Sequence, residues 1–293
     1  MAQAELIPGT QCYHGEGPCW SDDWGDRGGG GLRWVDMLAG DVLALDAGGG
    51  VTRTHVGEVA AVIRPRAAGG AVLALQDRFV VTDGDLGQLR TVAEVPLKPG
   101  VRLNEGGCDP DGRFYCGSMA SDESPQAGTF YRLDPDGSVH PVMDKVTISN
   151  GFDFSPDGGT AYYVDTAEQS IDVFDYSAGP SPGGGLANRR RWVEVPDDAG
   201  RPDGLTVDAE GGVWLALMEG GAVHRYAPSG ALDAVIELPV SQVTACTFGG
   251  PGLGTLYITT SQIGADTGAQ PDSGALFAVQ PGVRGRPALT FAS

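Results

Sequence analysis

The apolar residues of this chain fall in short runs, among them Leu32–Val35, Val72–Leu75, Phe114–Cys116, Ala161–Val164, Val213–Ala216 and Leu256–Ile258. Most of these runs follow a turn segment closely: Gly69-Gly70, Pro110-Asp111-Gly112, Pro156-Asp157-Gly158, Gly211-Gly212 and Pro251-Gly252. Proline presets φ, glycine accepts positive φ, and the aromatic and β-branched residues that follow suit half-buried strands. No long amphipathic helical pattern interrupts the series. The pattern predicts repeated strand–turn–strand units and an all-β fold.

The units are in register with one another. Asn104, Asn150 and Asp203 each stand eight residues before a turn glycine, at Gly112, Gly158 and Gly211, and Thr244 has the same relation to Gly252. Two upstream units, Glu16 to Asp36 and Val62 to Leu75, follow the pattern more loosely, which makes six. A repeat of about forty to fifty residues is that of a propeller blade. Further strands are expected at Thr129–Leu133, Ser170–Asp175, Ala222–Tyr226 and Ala275–Val279, which brings each unit to the four strands of a blade. The expected fold is a six-bladed β-propeller with four-stranded antiparallel blades around a central channel, one domain over residues 1–293. Gly28–Gly31 and Ser177–Gly185 read as loops. A β-sandwich would explain the strands but not the constant offset.

Composition narrows the partners. A formal net charge of −19 disfavours attraction to nucleic acid or anionic membranes and reads as a solvated acidic surface. The five cysteines, Cys12, Cys19, Cys108, Cys116 and Cys246, form no CxxC pair, and an odd count fits a disulfide framework poorly. Met1–Pro8 has no basic stretch leading into an apolar core, and no run approaches transmembrane length. A soluble cytoplasmic protein, a monomer or weak homo-oligomer, is the expectation.

In a propeller the first strand of each blade lines the channel, so equivalent positions face one another across it. Asn104, Asn150, Asp203 and Thr244 would do so, with Glu16 as the first-blade equivalent. Glu16, Asn150 and Asp203 offer two carboxylates and an amide oxygen, a hard donor set for a divalent cation. Taken singly, Asn150-Gly151 and Pro202-Asp203-Gly204 are ordinary turn sequences; the repeat, which puts the turn later, moves them onto the inner strand. Arg102 shares a face with Asn104 by strand alternation. None of the four histidines forms a paired ligand motif; His14 could share the face of Glu16 but reads first as a partly exposed blade-edge residue. Gly179-Pro-Ser181-Pro-Gly183 matches GxSxG literally, yet prolines flank the serine inside a loop, without the strand and helix of a nucleophile elbow.

These segments together resemble the senescence marker protein, regucalcin and gluconolactonase family of six-bladed propellers. The resemblance runs from about Cys12 to the last strand. It is carried by Gly15-Glu16-Gly17-Pro18 with Trp20, Arg102-Leu103-Asn104 with Asp109–Gly112, Gly117-Ser118-Met119, Ile148-Ser149-Asn150-Gly151, Pro202-Asp203-Gly204 with Asp208–Gly211, Asn188-Arg189-Arg190 and Cys246–Gly250. It implies one divalent metal ion (Ca, Zn, Mn, Mg or Fe) held by Glu16, Asn150 and Asp203. It also implies substrate contacts from Arg102 and Asn104, and from an acidic residue after the methionine segment, for which Asp122 is the nearest match. The expected activity is hydrolysis of a sugar-acid lactone to the free aldonic acid, with Asp203 as ligand and as the base that guides water. Two other readings keep the metal: an organophosphate or ester hydrolase, and a calcium-binding regulatory propeller without catalysis. A protein-interaction propeller would not need the converging polar ring.

Overall fold

Each predicted run becomes a strand, and the computed structural model, which describes residues 3–25, 29–46, 48–179 and 184–293, folds as six four-stranded antiparallel sheets. This is the six-bladed β-propeller expected. The inner strands are Gly15–Ser21, Ala60–Pro65, Val101–Cys108, Ser149–Phe154, Arg201–Val207 and Val243–Gly249. The predicted third strands are found at Gly128–Leu133, Ser170–Ser177 and Ala222–Tyr226, and at Leu276–Val279 in the last blade. Helix among the described residues is confined to four short 3-10 turns, and no helix is long and apolar enough to cross a membrane. Ser181 and the rest of 180–183 lie outside the described residues, as do 26–28 in the first glycine-rich loop.

The ring closes through a strand the sequence pattern did not reveal. Glu5–Ile7 pairs antiparallel with Leu276–Val279, so the N-terminal segment supplies the outer strand of the sixth blade. Three residues carry too little periodicity to be read as a strand on their own. His14 and Ser261 add an isolated bridge at the same seam.

The eight-residue offset has a physical basis at both ends. At the turn end, Gly112, Gly158 and Gly211 have φ of 77°, 72° and 84°, the left-handed region that favours glycine. Asp109 and Asp208 hold two of these turns alike: each Oδ1 accepts from the backbone N–H groups two and four residues on. At the other end, every inner strand carries a one-residue slip in register. It falls between Glu16 and Cys19, Ala60 and Val62, Leu103 and Gly106, Ser149 and Phe152, Pro202 and Leu205, and Val243 and Ala245. A β-bulge breaks strict alternation and re-aims a side chain. Asn104, Asn150, Asp203 and Thr244 sit in these slips, which is how one repeat position reaches the channel from several blades.

The two ends of the channel differ. The C-terminal tail crosses the face at which the inner strands end. Its backbone bonds to Ala209, Leu253, Pro65, Ala67 and Gly112 in turn, and Arg286 reaches the carbonyls of Phe154, Ser155 and Val207. Phe291 is fully buried in the core shared with Phe79, Phe114 and Leu133. The opposite face, where the inner strands begin, is open to a larger cavity.

Candidate metal and substrate site

A cavity of about 290 Å³ opens at the start of the inner strands and is lined by Glu16, Arg102, Asn104, Asn150 and Asp203 among others. The structure thus brings together five of the six residues that the resemblance assigns to metal and substrate. All five side chains belong to buried residues.

The carboxylates repel one another. Burial, then Glu16, then Glu105 push the Asp203 carboxyl well above its ordinary range, and burial and Glu105 do the same to Glu16. Glu16 Oε2 accepts from the Gly17 backbone N–H at 3.1 Å. Asp203 Oδ1 is buried with no hydrogen-bond partner among the described residues. A buried carboxylate oxygen left unpaired is costly unless a cation meets it. Among the described residues no three His, Cys, Asp or Glu side chains are placed to hold a metal ion. Glu105 therefore does not complete a carboxylate triad; the Asn150 amide lines the same cavity as Glu16 and Asp203 and is available as an oxygen donor. The donor set fits a hard divalent cation.

Arg102 and Asn104 are held from within. Arg102 Nη1 donates to the Leu103 carbonyl at 3.1 Å and to Asn104 Oδ1 at 2.6 Å. Asn104 Nδ2 donates to the Ser149 carbonyl at 2.7 Å and to Asn150 Oδ1 at 3.1 Å. Both amide protons of Asn104 are committed, so what it offers the cavity is an acceptor lone pair on Oδ1.

Asp122 does not line the cavity. It is exposed, and its Oδ1 accepts from Ser124 N and Oγ at 3.1 and 2.7 Å, a local turn. The strand before it ends at Ala120, and Glu123, in the left-handed region at φ 56°, turns into the cavity in its place. The resemblance offered Asp122 as the nearest acidic match after the methionine segment, and the turn there carries the neighbouring acidic residue to the cavity instead. Glu123 Oε2 meets Arg201 Nη2 at 2.8 Å across the mouth. Arg201 stands two residues before Asp203, as Arg102 does before Asn104; the same alternation would have found it.

Two further positions differ from their sequence reading. His14 is buried and lines the cavity rather than a blade edge, its Nδ1 2.8 Å from Ser261 Oγ and its Nε2 3.9 Å from Glu16 Oε1. Burial and the nearby Arg102 push its pKa down to about 3, so the ring is neutral. Thr244 is spent on the seam between the last and first blades: its hydroxyl donates to the Gly15 carbonyl at 2.6 Å.

Glu105, next to Asn104, carries a buried carboxyl whose Oε2 has no partner among the described residues; Oε1 lies 4.0 Å from Arg64 Nη2. Burial raises it from 4.5 to about 7 although Arg64 opposes the shift. A carboxyl raised on folding binds more protons in the folded state, so stability falls as pH climbs from about 4.5 to about 7. Metal-free protein is expected to lose on the order of 2–3 kcal/mol of unfolding free energy across that window. Urea unfolding in chelator measures it, and Glu105→Gln should remove the Glu105 share of the slope and leave the share of Glu16 and Asp203, which are pushed up as well. An unchanged slope in the variant would place the protons elsewhere.

Residues 14–262 match the SMP-30/Gluconolactonase/LRE-like region family. The chain belongs to this family. Among its relatives, it is 40% identical to regucalcin of Danio rerio over 78% of each chain. It is 34% identical to a pentonolactonase of Haloferax volcanii over 95% of this chain and 94% of that one. Its fold superposes on a calcium-binding protein, regucalcin, of Agrobacterium tumefaciens with a TM-score of 0.91, at 27% identity over 100% of this chain and 98% of that chain. The family match spans every site residue described above, from His14 to Ser261.

Proposed function

We propose that this protein is a divalent-metal-dependent lactonase that opens a sugar-acid lactone to the free aldonic acid. The observation that carries this reading is Asp203: a buried carboxylate oxygen with no partner among the described residues, on an open cavity that Glu16 and Asn150 also line. The kinship with a pentonolactonase over nearly the whole chain supports lactone as the substrate class. Five free, buried thiols are compatible with a reducing cytoplasm.

Glu16, Asn150 and Asp203 would hold the ion, which when bound supplies Lewis-acid polarisation of the lactone carbonyl and of water. The rest follows from the side chains. Asp203 takes a proton from the attacking water as the water oxygen bonds to the carbonyl carbon and the C=O π pair moves onto the carbonyl oxygen. The C=O bond then re-forms as the ring C–O bond breaks, Asp203 passes its proton to the departing ring oxygen, and the product is a hydroxy acid. The cationic Arg102 faces the negative charge developing on the carbonyl oxygen, and Asn104 Oδ1 accepts from a sugar hydroxyl. Glu123 and Arg201 at the mouth bind outer hydroxyls, and the neutral His14 ring adds one more polar contact. The Glu123–Arg201 pair spans two blades and holds that rim in one shape.

The test is a panel of aldonolactones assayed with chelator-stripped protein reloaded with Ca, Mn, Mg, Zn or Fe(II). Turnover of at least one lactone is expected with metal and its loss without. Tight calcium binding with no lactone turned over would favour a non-catalytic calcium-binding propeller.

A further inference from the structure

We infer that Thr166 is a positioning residue that orients the Asn150 amide toward the cation, and this rests on the metal reading above. Thr166 opens a 3-10 turn after the second strand of blade four and is buried. No repeat position marks it in the sequence.

Four hydrogen bonds run in one direction across three blades. Arg102 Nη1 donates to Asn104 Oδ1, Asn104 Nδ2 donates to Asn150 Oδ1, Asn150 Nδ2 donates to Thr166 Oγ1 at 2.7 Å, and Thr166 Oγ1 donates to the Pro202 carbonyl at 2.8 Å. Both ends of this chain are chemically fixed. A guanidinium can only donate and a backbone carbonyl can only accept. Asn104 must therefore turn Oδ1 to Arg102 and its amide protons to Asn150. Thr166, with its single proton spent on Pro202, can only accept from Asn150, so the group facing it is Nδ2. The Asn150 oxygen is thereby held away from Thr166, with one lone pair taken by Asn104 and one left for the cation. Bonds chained in one sense polarise one another in a buried site.

The same hydroxyl grips the carbonyl that immediately precedes Asp203. One atom thus sets two of the three donors: the rotamer of Asn150 and the backbone from which Asp203 projects. Without it the amide keeps only the Asn104 bond against turning over and presenting its NH₂ group to a positive ion. Outer groups of this kind are worth about 10–100-fold in metal affinity.

Calorimetric titration of Ca²⁺ and Mn²⁺ into stripped wild type, Thr166→Val and Thr166→Ser tests this. Thr166→Val should bind about 10–100-fold more weakly, and Thr166→Ser within about threefold of wild type. In an Asn150→Asp background, where the two oxygens are equivalent, Thr166→Val should cost less than about threefold, because turning the group over changes nothing. Wild-type affinity in Thr166→Val, equal weakness in Val and Ser, or an equal loss in both backgrounds would overturn the inference. Absence of binding by wild type would instead overturn the metal reading beneath it. Should Thr166→Val fail to fold, Thr166→Ala carries the same expectation.

Discussion

Replacing Asp203 with Asn is expected to cut kcat/KM for lactone hydrolysis by about 10²–10³-fold, some 3–4 kcal/mol of transition-state stabilisation. The substitution keeps the volume and one oxygen but removes the charge that faces the cation and the group that accepts the proton of water. Stability should move the other way. In metal-free protein the Asp203 carboxyl is pushed up by burial and by Glu16 and Glu105, so losing it relieves repulsion. The stripped variant is expected to melt at or above the temperature of stripped wild type, while wild type alone gains stability from added metal. Near-normal turnover in Asp203→Asn would take Asp203 out of the reaction, and a lower apo melting temperature would show that the buried carboxylates are not in conflict.

Phe291→Ala should destabilise the fold by about 3–5 kcal/mol, the cost of emptying a fully buried phenylalanine site. The side chain has no solvent exposure and packs into the largest apolar cluster. The effect is also architectural. Phe291 N–H donates to the Pro65 carbonyl, its own carbonyl accepts from Ala67 N–H, and Ala292 N–H reaches Gly112, so the tail is pinned to blades two and three together. Denaturant unfolding reads the loss as a shift in midpoint at constant slope. A change below about 1 kcal/mol would mean that the tail contributes little to closing this face.

Much of the fold is legible because a propeller is a local structure repeated. The Pro-Asp-Gly turns, the apolar runs after them and the eight-residue offset all lie within one blade, so short-range pattern suffices. The seam is different. Glu5–Ile7 joins Leu276–Val279 across nearly the whole chain, and nothing local in a three-residue segment announces its partner. The Arg286 bonds to three carbonyls are likewise invisible, since any exposed arginine near a terminus looks the same in sequence.

The site divides along the same line. Residues on inner strands, Glu16, Arg102, Asn104, Asn150 and Asp203, could be read from repeat position and alternation, and all of them line the cavity. Residues on turns could not. The resemblance points to Asp122 where Glu123 lines the cavity, because a left-handed turn follows Ala120 and a match by position does not show which of two neighbouring acidic residues it turns inward. Thr166 follows a strand rather than lying in one, and its role exists only through Asn150 and Pro202. His14 was weighed as a blade-edge residue because burial at the seam depends on Ser261, 247 residues away.

The chain's own pattern therefore established the repeat, the six-bladed ring and the oxygen-rich composition of the channel, since these depend on residue type and spacing within a blade. The tertiary structure decided the rest: which oxygens remain unpaired, which amide protons are spent, and which acidic side chain turns inward. Those properties belong to pairs of residues on different blades, and only closing the ring brings such pairs within hydrogen-bond distance.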